Sequence, residues 1–146
     1  MRRRDAIAAL VAERGDAITI TTEQAIGAWR AAVPEAPNEI PDHLDVVGCM
    51  GSASSIGLGI ALAQPSRAII VVDADGSLLM QLGSMVTIAG AAPANLHHFV
   101  FENGVYETSG SQPLPAPPAP PHPPGPSRPK GYTARPAARP LTSGVR

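Results

Sequence analysis

The sequence predicts a domain of the α/β class, a three-layer sandwich built around a parallel sheet. One apolar run, Ala68–Val72, is continuous, as in strands that a parallel sheet buries on both faces. A second apolar run, Leu96–Phe101, follows a segment with helical spacing, Leu78–Ala89, that Pro93 ends. Strand, helix and strand in this order form a βαβ unit, the building block of parallel sheets.

The remaining elements are predicted from hydrophobic periodicity and from the positions of glycine and proline. In chain order they are a helix Ile7–Arg14 ended by Gly15, a strand Ala17–Thr21, a helix Thr22–Ala32, a loop with Pro34, Pro37 and Pro41, a strand Asp45–Gly48 and a helix Ala53–Ala63. Gly57 and Gly59 lie inside that last helix, where glycine costs about 1 kcal/mol relative to alanine. We therefore expect both glycines to allow close packing against the sheet.

The composition changes abruptly after Gln112. Residues 113–146 contain 12 of the 17 prolines and carry a net charge of +5, whereas residues 1–112 carry −6. Proline lacks the amide hydrogen and fixes φ, so the later segment favours neither a helix nor a central strand. We predict a folded domain over residues 1–112 and a disordered Pro/Arg-rich tail over residues 113–146.

The composition also excludes several classes of protein. A single cysteine cannot form an internal disulfide, and no apolar run approaches the roughly 18 residues that a membrane span needs. The first residues follow a helical pattern rather than the unbroken apolar run of a signal peptide. We therefore expect a cytoplasmic protein without a membrane partner. The tail is basic but nearly free of aromatic residues, so no nucleic-acid partner is expected.

Two common nucleotide-binding motifs are absent from the sequence. A P-loop requires a Gly-Lys-Ser/Thr element, and the single lysine, Lys130, lies in the tail. A dinucleotide fingerprint requires glycine two residues after Gly48, where Met50 stands. Neither nucleotide class is supported.

Polar side chains follow two neighbouring strands of the predicted sheet. Asp75 and Asn103 come after the two apolar runs, at the edge of the sheet where ligands of α/β proteins bind. Their oxygens are the ligands that Mg²⁺ prefers, with a phosphate as a frequent further partner. Gly76 and Ser77 open the following helix, so their backbone amides and the Ser77 hydroxyl can hold that phosphate. The residues predict a magnesium and diphosphate site. The alternative is a helix cap and a turn residue without metal.

These residues also carry a resemblance to a known family. The segment Ala74-Asp75-Gly76-Ser77, together with Asn103-Gly104-Val105-Tyr106, resembles the metal and diphosphate motif of thiamine diphosphate enzymes. The segment from Gly48 to Ala53 resembles the loop by which that family holds the aminopyrimidine ring, although a tight loop without ligand is the alternative. The resemblance covers residues 1–112 and is greatest to the beta chains of sulfopyruvate decarboxylase and to phosphonopyruvate decarboxylases.

The resemblance implies a set of site residues. It implies that Asp75, Asn103 and the backbone carbonyl of Val105 bind Mg²⁺. It implies a second set that contacts the cofactor: Gly76, Ser77 and Thr22 at the diphosphate, and Gly48, Met50, Gly51 and Ser52 at the aminopyrimidine side. In this second set Gly48 would accept a hydrogen bond from the 4′-amino group, and Met50 would hold the cofactor in its bent shape.

The resemblance further implies a function. It implies the decarboxylation of a 2-oxo acid of the sulfopyruvate or phosphonopyruvate type with thiamine diphosphate and Mg²⁺, in which the cationic ring accepts the electrons released with CO₂. The family's activating glutamate belongs to a pyrimidine-binding domain, so we expect it from a partner alpha subunit and expect no catalytic residue in this chain. One alternative is a carboligase similar to acetolactate synthase, and another is a truncated, non-catalytic remnant.

The sequence departs from the family pattern at several points. Ala74 and Glu102 replace the first glycine and the first asparagine of the motif. A methyl group at position 74 would cost about 1 kcal/mol if that residue needs a positive φ. The family continues beyond Gln112 with further strand and helix, so we expect an incomplete sheet, and the GC-rich codons of the tail's residues favour the hypothesis of a shifted reading frame. Arg67 is the only Lys or Arg in residues 45–112, so cationic substrate contacts are expected from the partner.

Overall fold

A computed structural model describes residues 2–33 and 42–115 and the backbone of residues 135–136. The predicted proline loop around Pro34, Pro37 and Pro41 lies outside the described residues. So does most of the segment 113–146, for which the disordered tail and the domain boundary at 112 remain predictions.

The described chain alternates helices and strands, as the α/β prediction requires. The helices are α1 (Arg3–Glu13), α2 (Glu23–Ala32), α3 (Ala53–Ala63), α4 (Asp75–Met80) and α5 (Ser84–Ala91), with a 3₁₀ turn at Glu107–Ser109. The strands are β1 (Ile18–Thr22), β2 (His43–Val46), β3 (Ile69–Ala74), β4 (Leu96–Phe101), β5 (Val105–Tyr106), β6 (Gln112–Pro113) and β7 (Arg135–Pro136).

The main sheet has the strand order β2-β1-β3-β4-β7. Its first four strands are parallel, with Thr21 opposite Val72 and Ala74 opposite Phe101. The two-residue strand β7 pairs with β4 in the antiparallel direction, and β5 pairs with β6 in a separate hairpin. Because the four long strands run the same way, their carboxyl ends meet at one edge of the sheet.

Helices cover both faces of this sheet and form two hydrophobic cores. On one face, Ile7 of α1 and Trp29 of α2 pack with Val72. On the other face, Ala53 and Ala61 of α3 join a cluster that contains further sheet residues. The three-layer α/β prediction is confirmed. Within residues 2–33 and 42–115, none of the helices combines the length and hydrophobicity needed to cross a lipid bilayer.

Three predicted elements differ clearly from the structure. The first helix begins at Arg3, four residues before its predicted start at Ile7. Strand β2 ends at Val46 and does not reach Gly48, since Gly48 adopts a φ of +73° that is incompatible with a strand. The predicted single helix Leu78–Ala89 is two helices, α4 and α5, separated by the turn 81–83. The Ser84 hydroxyl donates to the carbonyl of Gln81 at 2.8 Å. This local bond, next to Gly83, competes with a continuous helix.

The two glycines of α3 have different surroundings. A Cβ built on Gly57 would lie 2.5 Å from Cγ2 of Val71 and 3.2 Å from Cδ1 of Leu96, so the prediction of close packing against the sheet is confirmed there. A Cβ on Gly59 would meet nothing within 4 Å, and this residue is exposed. The prediction was wrong for Gly59, because it lies on the face of α3 that is turned away from the sheet.

This difference gives a matched pair of substitutions. Gly57→Ala should lower the free energy of unfolding by about 1–3 kcal/mol, since the new methyl group overpacks the helix against β3. Gly59→Ala should raise it by about 0.4–1 kcal/mol, because alanine restricts the unfolded chain and fits the exposed position. Urea unfolding of the full chain measures both changes, and a Gly57→Ala variant as stable as the Gly59→Ala variant would contradict the packing described here.

Candidate functional site

A buried carboxylate lies at the centre of the edge where the strands end. Asp73, at 1% exposure, accepts hydrogen bonds from the Thr22 hydroxyl at 3.2 Å and from the Ala74 amide at 2.8 Å. Nε2 of His98 donates to its other oxygen at 3.3 Å, and the Ser77 side chain also bonds to it. One side chain therefore connects β1, β3, β4 and α4.

The hydrogen bonds keep this buried group charged. Burial by itself raises the pKa of Asp73, but the bonds from His98, Ser77 and the Ala74 amide outweigh it and hold the pKa below its ordinary value. Asp73 is therefore a buried negative charge at neutral pH, stabilised by donors from the neighbouring elements.

A second carboxylate joins α4 to the loop after β4. Oδ2 of Asp75 accepts the backbone amides of Asn103 at 2.9 Å and Gly104 at 2.7 Å, while Oδ1 accepts the amide of Gly76 at 2.8 Å. The Asn103 carboxamide oxygen accepts the Val105 amide at 2.9 Å. The structure thus brings together the two segments that the sequence predicted to meet.

The loop from Gly48 to Ser52 packs against the same helix. The Gly51 amide donates to Oγ of Ser77 at 2.8 Å. Gly51 has a φ of +85°, and a Cβ there would lie 2.6 Å from Cγ of Gln81, so this position admits only glycine. The Ser52 hydroxyl donates to the Cys49 carbonyl at 2.6 Å and thereby closes the turn.

These segments surround a cleft, which we call the edge cleft. The predicted site residues that line it are Thr22, Met50, Gly76, Ser77, Asn103 and Val105. Asp75 and Gly51 bond to these residues without lining the edge cleft, whereas Gly48 and Ser52 belong to the neighbouring loop. The structure therefore brings most of the predicted residues to one place.

The edge cleft also contains residues that sequence reasoning missed: Arg3, Glu23, Tyr106 and Glu107. Glu23 opens α2 with a φ of +47°, a strained conformation for a residue with a side chain. Its place at a strand-to-helix junction was the only signal in the sequence. Nothing local signals Arg3, which bonds to a residue 104 positions away.

The alanine that replaces the first glycine of the motif fits its position. Ala74 has φ −119° and ψ 154°, an extended conformation open to any residue. The expected cost of a positive φ is therefore absent. Glycine is needed two residues further along instead, since a Cβ on Gly76 would lie 2.8 Å from Cδ1 of Tyr106.

The donor set at this edge suits a hard cation. The Asp75 carboxylate, the Asn103 carboxamide and the Val105 carbonyl are all oxygen ligands, the type that Mg²⁺ binds. Within residues 2–33 and 42–115, no three His, Cys, Asp or Glu side chains lie together so as to hold a metal ion, so a cation here would depend on Asp75 together with amide and carbonyl oxygens. These oxygen donors, of which Asn103 and Val105 line the edge cleft and Asp75 lies behind them, therefore fit Mg²⁺.

Comparison with known proteins identifies the family. Residues 24–135 match the thiamine pyrophosphate enzymes, in the C-terminal TPP binding domain. This match covers most of the chain and extends past residue 112. The chain belongs to the thiamine pyrophosphate enzyme family.

Several relatives of this thiamine pyrophosphate enzyme domain are named as decarboxylases. A phosphonopyruvate decarboxylase of Streptomyces hygroscopicus is 53% identical over 70 residues, which are 48% of this chain and 17% of that protein. The beta subunit of sulfopyruvate decarboxylase from Methanothermobacter thermautotrophicus is 51% identical over 72 residues, 49% of this chain and 38% of the relative.

A third relative matches a longer part of the chain. The sulfopyruvate decarboxylase of Methanosarcina acetivorans is 39% identical over 116 residues, 77% of this chain and 28% of that protein. The chain thus spans less than half the length of each of these relatives. The resemblance to sulfopyruvate and phosphonopyruvate decarboxylases is confirmed.

The charge of Asp73 makes the stability of this thiamine pyrophosphate enzyme domain depend on pH. Its folded-state pKa is lowered, so its contribution is complete above the unfolded value of about 3.9 and is lost as the pH falls through the folded value. Asp73→Asn should remove this part of the acid dependence and cost about 1–3 kcal/mol at pH 7. Urea unfolding between pH 2 and 7 measures both effects.

Asp5→Asn is the matched control for this prediction, because Asp5 is a half-exposed aspartate on the surface of α1. It should leave the stability at pH 7 nearly unchanged. An Asp73→Asn variant whose acid dependence equals that of the wild type would show that Asp73 is not a charged group in the folded protein.

Proposed function

We propose that this chain is the cofactor-binding subunit of a decarboxylase that acts on sulfopyruvate or phosphonopyruvate. The observation that carries the proposal is the Asp75 carboxylate, which joins the start of α4 to Asn103 and Gly104 beside the edge cleft. The names of the relatives support decarboxylation of these two acids. The thiamine pyrophosphate family supports the cofactor.

In this proposal each segment has a distinct task. Asp75, Asn103 and the Val105 carbonyl would hold Mg²⁺, which would supply positive charge for the diphosphate. The absence of a side chain at Gly76 makes room for the Tyr106 ring, and Gly76 lines the edge cleft with Ser77 and Thr22, where the diphosphate would bind. The Ser77 hydroxyl bonds to both Gly51 and Asp73 and so keeps the two loops in place.

The other end of the cofactor meets the loop from Gly48 to Ser52. Met50 lines the edge cleft, where its side chain would hold the cofactor in its bent shape. When bound, the cofactor supplies a cationic ring that accepts the electrons released with CO₂. The residues of this chain bind and orient the cofactor, and we propose that a glutamate of a partner subunit activates it.

The proposed partner is a pyrimidine-binding alpha subunit. One observation supports it: a relative that matches this chain over 38% of its own length is named as a beta subunit. Other relatives named as beta subunits come from Methanocaldococcus jannaschii and Methanococcus maripaludis. The cofactor then lies across the interface between the two chains.

Removal of the proposed metal ligand tests the cofactor site. Asp75→Ala should weaken the Mg²⁺-dependent binding of thiamine diphosphate about 100-fold or more, because it removes the one anionic ligand of the metal. Calorimetric titration of the full chain, with and without Mg²⁺, measures the affinity. Asp16→Ala, which removes an exposed aspartate far from the edge cleft, is the matched control and should bind as the wild type does.

The substrate is tested by the release of CO₂. The chain combined with a pyrimidine-binding subunit should decarboxylate sulfopyruvate or phosphonopyruvate faster than pyruvate, whereas the chain alone should release none. Coupled detection of CO₂ from the three acids makes the comparison. Bound cofactor without any decarboxylation would instead favour a carboligase or a non-catalytic remnant.

A further inference from the structure

The edge cleft contains a basic side chain, that of Arg3, which the sequence did not predict to lie there. Among the described residues that line it, Arg3 is the only Lys or Arg, while Glu23, Asp73 and Glu107 are acidic. A ligand with phosphate or sulfonate groups meets unfavourable charge in such a lining unless a cation compensates for it. Arg3 is in the right place to do so.

The Arg3 side chain is held at this place by α1. It has 17% exposure, compared with 90% for the side chain of Arg2. Ile7, one helical turn after Arg3 and on the same face of α1, is completely buried in the core. The helix therefore directs the guanidinium towards the edge cleft and not into solvent.

The Arg3 guanidinium is connected to the proposed metal site through Glu107. Nη2 of Arg3 donates to Oε2 of Glu107 at 2.5 Å, and the same oxygen accepts Nδ2 of Asn103 at 3.1 Å. A partly exposed ion pair of this kind contributes little to stability. The ion pair is instead notable for its position, because Glu107 also bonds to Asn103, a proposed metal ligand.

We propose that Arg3 binds a tetrahedral oxyanion in the edge cleft, and that Glu107 holds the guanidinium in place until that anion replaces it. Guanidinium groups bind carboxylate, phosphate, phosphonate and sulfonate oxygens by the same charge-assisted hydrogen bonds. Within the proposed function, on which this inference rests, the anion is either the diphosphate of the cofactor or the sulfonate or phosphonate group of the substrate.

The central experiment measures anion binding to the full chain by calorimetry, with inorganic pyrophosphate and Mg²⁺ as one probe and sulfoacetate as the other. Arg3→Gln should weaken the binding of one probe about 10- to 100-fold, the range for one lost charge-assisted hydrogen bond. A loss for pyrophosphate assigns Arg3 to the cofactor, and a loss for sulfoacetate alone assigns it to the substrate.

The matched control is Arg4→Gln, which removes the same charge from an exposed position next to Arg3. It should leave the affinity for both probes within about twofold, since an exposed charge at a distance is screened by salt. Equal losses in Arg3→Gln and Arg4→Gln would overturn the proposal, because they would show a general effect of net charge.

A second variant separates binding from a structural role. Glu107→Gln removes the competing carboxylate, so it should tighten anion binding when Arg3 is present and should do so much less in the Arg3→Gln background. If Arg3 and Glu107 only joined α1 to the turn at Glu107–Ser109, both single variants would weaken binding together. That result would overturn the proposal.

The outcomes also distinguish this inference from the proposed function. Wild-type affinity for both probes in Arg3→Gln, together with Mg²⁺-dependent binding of thiamine diphosphate, would overturn the role of Arg3 and leave the proposed function intact. Failure of the wild type to bind thiamine diphosphate, even with a pyrimidine-binding subunit, would overturn both.

Discussion

The buried charge of Asp73 is the interaction on which the carboxyl edge of the sheet depends. A carboxylate without water must find donors within the protein, and the donors of Asp73 come from three other elements: Thr22 of β1, His98 of β4 and Ser77 of α4. Breaking any one of these bonds leaves part of a charge unsatisfied. The ends of β1, β3 and β4 are therefore fixed relative to one another before any ligand binds.

Asp75 extends this arrangement to the surface. It bonds to three backbone amides, of Gly76, Asn103 and Gly104, so the loop after β4 has a defined position against α4. Asp73 and Asp75 thus have different roles two residues apart, one as a buried anchor and the other as an organiser of the proposed metal site. A site arranged in advance loses less conformational entropy when it binds a metal and a diphosphate.

Secondary structure and site residues could be predicted where they depend on neighbouring residues in the sequence. The apolar run of β4 and the small apolar residues of α3 predicted both elements with the bounds that the structure has, Leu96–Phe101 and Ala53–Ala63. The polar residues after β3 and β4 predicted the site, because the carboxyl ends of parallel strands meet at one edge. The break between α4 and α5 was missed, since only Gly83 and a local bond from Ser84 to Gln81 mark it in a segment of strong helical periodicity.

By itself, the sequence determined the α/β class, the family and six of the residues that line the edge cleft, since these depend on hydrophobic period, on glycine and on short motifs. Only the tertiary structure decided which of two helix glycines packs against Val71, that Ala74 is extended, and that Arg3 reaches the edge cleft. Each of these facts depends on a contact or a backbone angle set by elements far apart in the chain. A sequence pattern does not give the distance between α1 and the turn at Glu107–Ser109. The packing of these two elements places the Arg3 guanidinium beside the proposed site.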